Sequence, residues 1–240
     1  MNIVNKTVLI TGANRGIGKA LVAEALKRGA KRIYAGTRGG AVQSDNRVIP
    51  VGLDVLDQAQ IDGVAASVDT LDVLINNAGI ALYDDLSDVA MVEQQLAVNV
   101  LGPLKLIRAL RPQLVRSRGA VVNNVSLVAL APLPVISGYS LSKAAALNMS
   151  QALRAHFGRD GVTVHAVMLG PIDTDMNRGF DIPKASPADA ARSIFAGLER
   201  GEQEIFPDPA SQAIAEGWRK GVAKALESQF ATFLPQRPAA

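Results

Sequence analysis

The stretch TGANRGIG, residues 11–18, decides the fold because it separates a predicted strand from a predicted helix. The run KTVLIT, residues 6–11, is rich in β-branched and apolar residues and predicts a buried strand. Three glycines occupy positions where a tight turn, close approach of a phosphate and helix–strand contact each exclude a Cβ atom: Gly12, Gly16 and Gly18. The free N–H groups at the start of the following helix favour a bound pyrophosphate. We therefore predict a dinucleotide-binding loop.

Short β-branched runs alternate with Ala- and Leu-rich stretches along the rest of the chain. The predicted strands are residues 6–11, 32–36, 47–54, 71–77, 119–126, 162–169 and 204–206. The predicted helices are residues 16–29, 57–67, 88–117, 139–158, 187–200 and 209–231. This alternation requires right-handed crossovers. It predicts an α/β single-domain Rossmann fold over residues 1–240, a doubly wound parallel sheet of about seven strands with helices on both faces, ending in a frayed tail at residues 234–240.

One predicted connection is unusually short. Only residues 37–46 separate the second and third strands, whereas a parallel crossover normally needs a dozen or more residues. We expect a turn or a single helical turn here, and hence an open floor near Arg38.

Composition excludes several classes of protein and site. The 240 residues are 48% hydrophobic and 20% charged, which is typical of a soluble globular protein. The net charge is only +3 and the Lys and Arg residues are dispersed, so neither a nucleic-acid surface nor a membrane surface is expected. The absence of cysteine excludes disulfides and thiolate metal sites, and His156 and His165 lack metal-motif spacing. The N-terminal residues have no signal-peptide pattern, and we expect a cytoplasmic location.

The segment SGYSLSKAAAL, residues 137–147, places two long polar side chains among small residues. Tyr139 and Lys143 stand at i and i+4, on one face of a helix. A neighbouring ammonium favours the phenolate form, so we expect Lys143 to lower the pKa of Tyr139. A lone pair of this spacing is common and by itself is more typical of a solvated helix start than of a functional site. The surrounding motifs decide between the two interpretations.

The order of motifs resembles that of the short-chain dehydrogenase/reductase family, from about residue 6 to residue 206. The motifs are TGANRGIG (11–18), NNAG (76–79), Asn99, Ser126, Tyr139 with Lys143, and GPIDT (170–174). The chain departs from the family pattern at Val125, where a serine is frequent, and at Leu169, where a proline is usual. The second departure weakens the assignments that follow it.

The resemblance implies hydride transfer between a nicotinamide cofactor and a ketone or aldehyde, giving an alcohol. It implies that Tyr139 exchanges the proton, while Lys143 tunes it and binds the nicotinamide ribose. Ser126 would orient the carbonyl oxygen, and Asn99 would support a proton relay to solvent. Two alternatives stay open, a 3-oxoacyl-thioester reductase of the same family and a non-catalytic NADP(H)-sensing protein.

The cofactor is predicted to be NADP(H). An acidic residue after the second strand would select NAD(H), but Thr37 and Arg38 stand there and Arg15 lies in the glycine loop. Guanidinium groups match the geometry of a 2′-phosphate. By resemblance, Asp54 contacts the adenine, and the residues near Ile172 and Thr174 hold the carboxamide. The predicted cofactor-binding residues are Gly12, Asn14, Arg15, Gly16, Ile17, Gly18, Thr37, Arg38, Asp54, Val55, Asn76, Ala78, Gly79, Tyr139, Lys143, Gly170, Ile172 and Thr174.

The predicted substrate pocket is apolar, which favours small apolar or aromatic ketones. Its residues are Leu127, Val128, Leu133, Met176 and Phe180. The stretch 127–137 could equally face a subunit interface. By resemblance, the helices at 88–117 and 139–158 would pair subunits into a homotetramer, with a dimer as the fallback.

Overall fold

Seven parallel strands form one sheet in the computed structural model, which describes residues 1–233. The strands are β1 (Thr7–Thr11), β2 (Arg32–Thr37), β3 (Val48–Gly52), β4 (Val73–Asn76), β5 (Ala120–Asn124), β6 (Thr163–Val167) and β7 (Glu204–Ile205). Their order is β3-β2-β1-β4-β5-β6-β7, so the direction of winding reverses between β1 and β4. The doubly wound Rossmann fold is confirmed, and ligands of such sheets bind at this reversal. The predicted tail at residues 234–240 lies outside the described residues.

Helices cover both faces of the sheet. They are α1 (Gly16–Lys27), α2 (Gln58–Ser67), α3 (Val89–Leu96), α4 (Gly102–Ala109), α5 (Arg111–Ser117), α6 (Ser137–Gly158), α7 (Pro187–Arg200), α8 (Pro209–Gln212), α9 (Ala215–Arg219) and α10 (Val222–Phe230). A π-helical turn occupies Ala97–Leu101, and 3-10 turns occupy Leu127–Ala129, Asp175–Asn177 and Ala231–Phe233. Within residues 1–233, no helix combines the length and apolarity needed to cross a bilayer.

Two predicted helices are interrupted. The helical pattern predicted over 88–117 is confirmed in extent but is not one regular helix: a π-helical turn follows α3, Leu110 separates α4 from α5, and a proline stands in the first turn of both. Proline fits a first turn but breaks a helix interior. The predicted helix 209–231 divides into α8, α9 and α10, and Gly221 caps the last of these with an extended backbone.

Alternating side chains build two cores, one on each side of the sheet. Val8 and Ile10 of β1 pack with α1 and α7, whereas Leu9 between them packs with α2 and α4 on the opposite face. Strands buried on both faces explain the nearly continuous apolar runs in the sequence. The polar residues at the carboxyl ends of these strands are thereby brought to one edge.

The short connection from β2 to β3 contains no helix in this described part of the chain, and it ends in a turn closed by Val48 N donating to Asp45 O. The prediction of a turn here is confirmed. Val42 packs against the core beside α1.

Candidate active site

A cleft of about 700 Å³ opens at the carboxyl ends of β1, β2, β4 and β5. Its lining residues are Gly12, Asn14, Arg15, Gly16, Ile17, Thr37, Arg38, Gly39, Leu53, Asp54, Val55, Asn77, Ala78, Gly79, Ile80, Ala81, Leu82, Val98, Asn124, Val125, Tyr139, Lys143, Leu169, Thr174, Asp175 and Met176. The structure thus brings most of the predicted cofactor-binding residues to one cleft.

The glycine loop fits a phosphate because its backbone is unobstructed. Gly12 adopts a φ of +64°, in the left-handed region that side chains disfavour. A Cβ atom on Gly18 would lie 2.0 Å from the carbonyl oxygen of Gly12, so only glycine permits α1 to start this close to β1. Arg15, the residue before α1, has an extended backbone and gives no side-chain cap to the helix. The first N–H groups of α1 are therefore available to an anion.

A chain of amides holds this loop in place. The Asn77 side-chain nitrogen donates to the carbonyl oxygens of Thr11 at 2.9 Å and Gly12 at 3.2 Å. The Asn124 side chain in turn donates to Asn77 Oδ1 at 2.9 Å. Sequence reasoning missed both asparagines as site residues, although polar residues at the ends of buried strands were the available signal.

Four predicted cofactor-binding residues lie away from the cleft lining. Asn76 points to the other face of the sheet, where its amide donates to Asn123 Oδ1 at 2.8 Å, and Asn77 lines the cleft in its place. Gly18 lies beneath the glycine loop. Ile172 belongs to the core, and the N–H of Gly170 donates to Asp208 at 2.8 Å.

The end of the cleft beside β2 is cationic. Arg15 and Arg38 are both exposed and line the cleft, and neither has an ion-pair partner among residues 1–233. Asn14 donates to Gly39 O at 3.0 Å and ties the glycine loop to the β2–β3 connection. Asp54 also lines the cleft, but its carboxylate accepts a bond from Leu56 N at 2.9 Å. Two unpaired guanidinium groups fit a phosphate at this end.

The opposite end of the cleft contains Tyr139 and Lys143, which α6 presents from successive turns. Lys143 is only 6% exposed, and its Nζ donates to Asn124 O at 2.7 Å. The same Nζ lies 5.5 Å from the centroid of the Tyr139 ring. The Ser126 side chain lies close enough to the Tyr139 phenol to act on its pKa. Ser126 Oγ also donates to Leu169 O at 3.2 Å. Three groups able to bind or protonate one oxygen atom therefore converge here.

Burial controls the protonation of this pair. Burial raises the pKa of Tyr139 to about 12, although the Ser126 side chain acts in the opposite direction. Burial lowers the pKa of Lys143 to about 8. The net pKa of Tyr139 is therefore raised rather than lowered, because burial disfavours the phenolate, and the expected effect of Lys143 on it stays a prediction.

Asn99 lies in the π-helical turn between α3 and α4, and such turns are frequent at functional sites. Its side chain accepts from Ile80 N and donates to Ile80 O, both at 2.9 Å. It also donates to Ser142 Oγ at 2.9 Å. A Cβ atom on Gly79 would lie 3.0 Å from Asn99 Oδ1. Asn99 thus clamps the cleft wall that begins at Gly79 against the helix that carries Lys143.

Only one of the five predicted substrate-pocket residues, Met176, lines the cleft. Leu127 packs against core residues below the cleft, Val128 shares its 3-10 turn, and Leu133 is exposed. Phe180 stacks on Tyr83. The apolar wall comes instead from four residues that the sequence analysis missed: Ile80, Ala81, Leu82 and Val98. The first three form an apolar run directly after the NNAG motif, and Val98 lies in the π-helical turn.

Comparison with known proteins places this geometry in a family. The family model described as short chain dehydrogenase matches residues 6–184. A solved short chain dehydrogenase from Burkholderia cenocepacia J2315, in complex with NADP, is 34% identical with a TM-score of 0.87, covering 98% of this chain and 100% of that one. The short-chain dehydrogenase ptmH of Penicillium ochrochloron is 35% identical over 216 residues, which are 82% of this chain and 78% of the relative. The 11-beta-hydroxysteroid dehydrogenase-like 2 of Arabidopsis thaliana is 31% identical over 229 residues, 85% of this chain and 74% of the relative. The chain belongs to the short-chain dehydrogenase family of oxidoreductases.

Proposed function

We propose that this protein is an NADP(H)-dependent reductase that interconverts ketones or aldehydes with alcohols. The observation that carries the proposal is that Tyr139 and Lys143, with Ser126 beside the phenol, lie at one end of a cleft whose other end carries two unpaired guanidinium groups. A protein that only sensed the nucleotide would need the second feature but not the first.

The preference for NADP(H) over NAD(H) rests on charge. Arg15 and Arg38 flank the β2 end of the cleft and have no carboxylate partner in the described residues, so a 2′-phosphate would satisfy both. Thr37 occupies the position of a selective carboxylate, and its hydroxyl is hydrogen-bonded to Gly39. The similar Burkholderia protein was solved with NADP. The glycine loop and the start of α1 would hold the pyrophosphate.

Proton transfer is assigned to Tyr139. When bound, the nicotinamide of NADPH supplies the hydride. A phenol with a pKa of about 12 is fully protonated at neutral pH, which is the acid form that carbonyl reduction requires. Ser126, beside the same phenol, would donate to the carbonyl oxygen and orient it. The Lys143 ammonium would stabilise the phenolate left after transfer.

Two further roles complete the proposal. Asn99 would support proton exchange with solvent by fixing the wall beside Lys143 through its bonds to Ile80 and Ser142. The apolar wall at Ile80 to Leu82 favours apolar or aromatic ketones over charged acids.

A homotetramer is proposed through the helices α3 to α6, on which Leu101 and Leu141 are exposed.

The test is NADPH oxidation across a panel of aryl and alkyl ketones, with Tyr139→Phe and a matched Tyr34→Phe variant. Tyr34 is buried in β2 and lies outside the cleft lining. Loss of the acid should lower kcat by about 10²- to 10⁴-fold in Tyr139→Phe, while Tyr34→Phe stays near wild type. Equal turnover by Tyr139→Phe and the wild type would refute the assignment of this site.

A further inference from the structure

Two aromatic side chains that the proposed chemistry does not use meet at the rim of the cleft. The rings of Tyr83 and Phe180 are stacked, with centroids 5.9 Å apart and planes inclined by 19°. Tyr83 directly follows the wall residue Leu82, and Phe180 lies four residues after the wall residue Met176. The ring pair therefore joins two segments that are distant in sequence and that both line the cleft.

The backbone around Tyr83 is fixed from both sides. Asp84 accepts from the N–H of Gly138 at 2.7 Å and from the side chain of Gln95 at 3.0 Å. Gln95 is fully buried, and its Oε1 accepts from Leu82 N at 3.0 Å. Because Gly138 immediately precedes Tyr139 in α6, the loop that carries Tyr83 is bonded to the start of the helix that carries the proposed acid.

The segment that carries Phe180 is held less firmly. Its base is closed by Asp173 N donating to Ala185 O at 2.9 Å. Among the described residues, 178–184 make no hydrogen bond to any part of the chain outside the adjoining 3-10 turn. Gly179 within it has a φ of +91°, and Arg178 is exposed. The stack on Tyr83 therefore connects this segment to the opposite rim, where no hydrogen bond of the described residues does so.

The two segments that carry the ring pair expose apolar side chains as well as charged ones such as Asp175 and Arg178. Leu86, Met176 and Ile182 are each between 45% and 48% exposed and belong to the same two segments. Flat aromatic faces and aliphatic side chains gain contact area with planar apolar molecules and offer little to small polar ones.

We propose that Tyr83 is a specificity-determining residue, whose ring stacks on Phe180 to form a clasp over the substrate end of the cleft and selects planar aromatic ketones. The substrate class rests on the proposed function, whereas the clasp itself rests on the ring pair and on the unequal anchoring of its two sides. These two parts are tested separately.

The clasp is tested by limited trypsin digestion, since Arg178 and Lys184 flank Phe180. Cleavage of a transiently open segment follows the population of the open form. Loss of an aromatic pair should raise cleavage in Tyr83→Ala by about 2- to 12-fold. Tyr83→Phe keeps the ring and should match wild type. Phe230→Ala removes a second aromatic pair, formed by Phe230 at the end of α10 and Phe233, whose ring centroids are 6.2 Å apart. This variant should also leave cleavage beside Phe180 unchanged.

The clasp is refuted if Tyr83→Ala is cut at the wild-type rate, or if Phe230→Ala raises cleavage at these sites equally. Phe180→Ala approaches the stack from its other side and should repeat the Tyr83→Ala result.

Selectivity is tested by kcat/KM for a planar aromatic ketone divided by kcat/KM for a small alkyl ketone. This ratio should fall about 2- to 12-fold in Tyr83→Ala and stay unchanged in Tyr83→Phe, with the KM for NADPH unaltered in both. An unchanged ratio beside faster cleavage would overturn the specificity role. If the wild type reduced no ketone, the proposed function would fall, and the digestion result would still decide the clasp.

Discussion

Replacing Arg38 with aspartate should convert the cofactor preference. Arg38 follows Thr37 at the end of β2, is exposed, and lines the cleft with Arg15 at the end where we propose that the 2′-phosphate binds. A charge-assisted hydrogen bond contributes about 1.5–3 kcal/mol, or roughly 10- to 150-fold in affinity. Because the guanidinium is exposed and screened by salt, the lower end applies, so removing it should raise the KM for NADPH about 10-fold. The new carboxylate would also repel the phosphate and accept a bond from the ribose hydroxyl of NADH.

The assay is kcat/KM for NADPH and NADH at two ionic strengths, with one ketone held saturating. A matched control is Arg32→Asp, which makes the same charge change at the opposite end of β2, where Arg32 is exposed. The NADPH-to-NADH ratio should fall by at least about 10-fold in Arg38→Asp and stay constant in Arg32→Asp. An equal ratio in Arg38→Asp and wild type would refute the role given to Arg38. An equal fall of this ratio in Arg32→Asp would show that net charge, rather than the position of Arg38, causes the change.

Three further outcomes are expected. Asn124→Val should weaken NADPH binding about 5-fold by releasing Asn77 from the glycine loop. Asn123→Val, on the opposite face of the sheet, should leave the Kd for NADPH unchanged. Equal Kd values for Asn124→Val and the wild type in a fluorescence titration would contradict this. The rate of reduction should fall as pH rises through about 8, because the Lys143 pKa is depressed to that value and its cation is lost above it; a flat profile from pH 7 to 10 would remove the ammonium from the mechanism. Glu204→Leu should lower the free energy of unfolding, measured by urea titration, by about 3 kcal/mol. The reason is that buried Glu204 pairs with Arg154 at 2.8 Å and with Lys224 at 2.9 Å. A loss below about 1 kcal/mol would show that the attraction within these ion pairs only offsets the cost of removing their charges from water.

The strands of this fold could be predicted from sequence because each is a short apolar run that local periodicity detects. The interruption of the predicted helix over 88–117 could be predicted only in part. Pro103 and Pro112 are visible signals, but the π-helical turn carries Asn99, whose partners Ile80 and Ser142 are distant in sequence. Local patterns do not report such long-range partners.

Among the site residues, too, those that form local sequence patterns could be predicted and those that depend on long-range packing could not. The glycine loop and the Tyr139–Lys143 pair are local patterns, and the structure brings both to one cleft. Asn76 was assigned by resemblance to the family, whereas the side chain of Asn77 lines the cleft, because neighbouring residues at the end of β4 point to opposite faces of the sheet. Composition alone could not show whether the apolar run at 127–133 lines the pocket, belongs to the core or lies on the surface. The pKa of Tyr139 depends on burial, which only the packed structure reveals.

The central claim is that this cleft moves hydride from NADPH to a carbonyl carbon while Tyr139 protonates the oxygen. It is tested most directly by a single turnover with NADPH deuterated at the transferring carbon, followed by mass spectrometry of the product alcohol. We predict one deuterium on the carbinol carbon with wild type and none with Tyr139→Phe on the same timescale. Tight NADPH binding with no deuterated alcohol from any ketone of the panel would contradict the account and leave a protein that binds the nucleotide without using it.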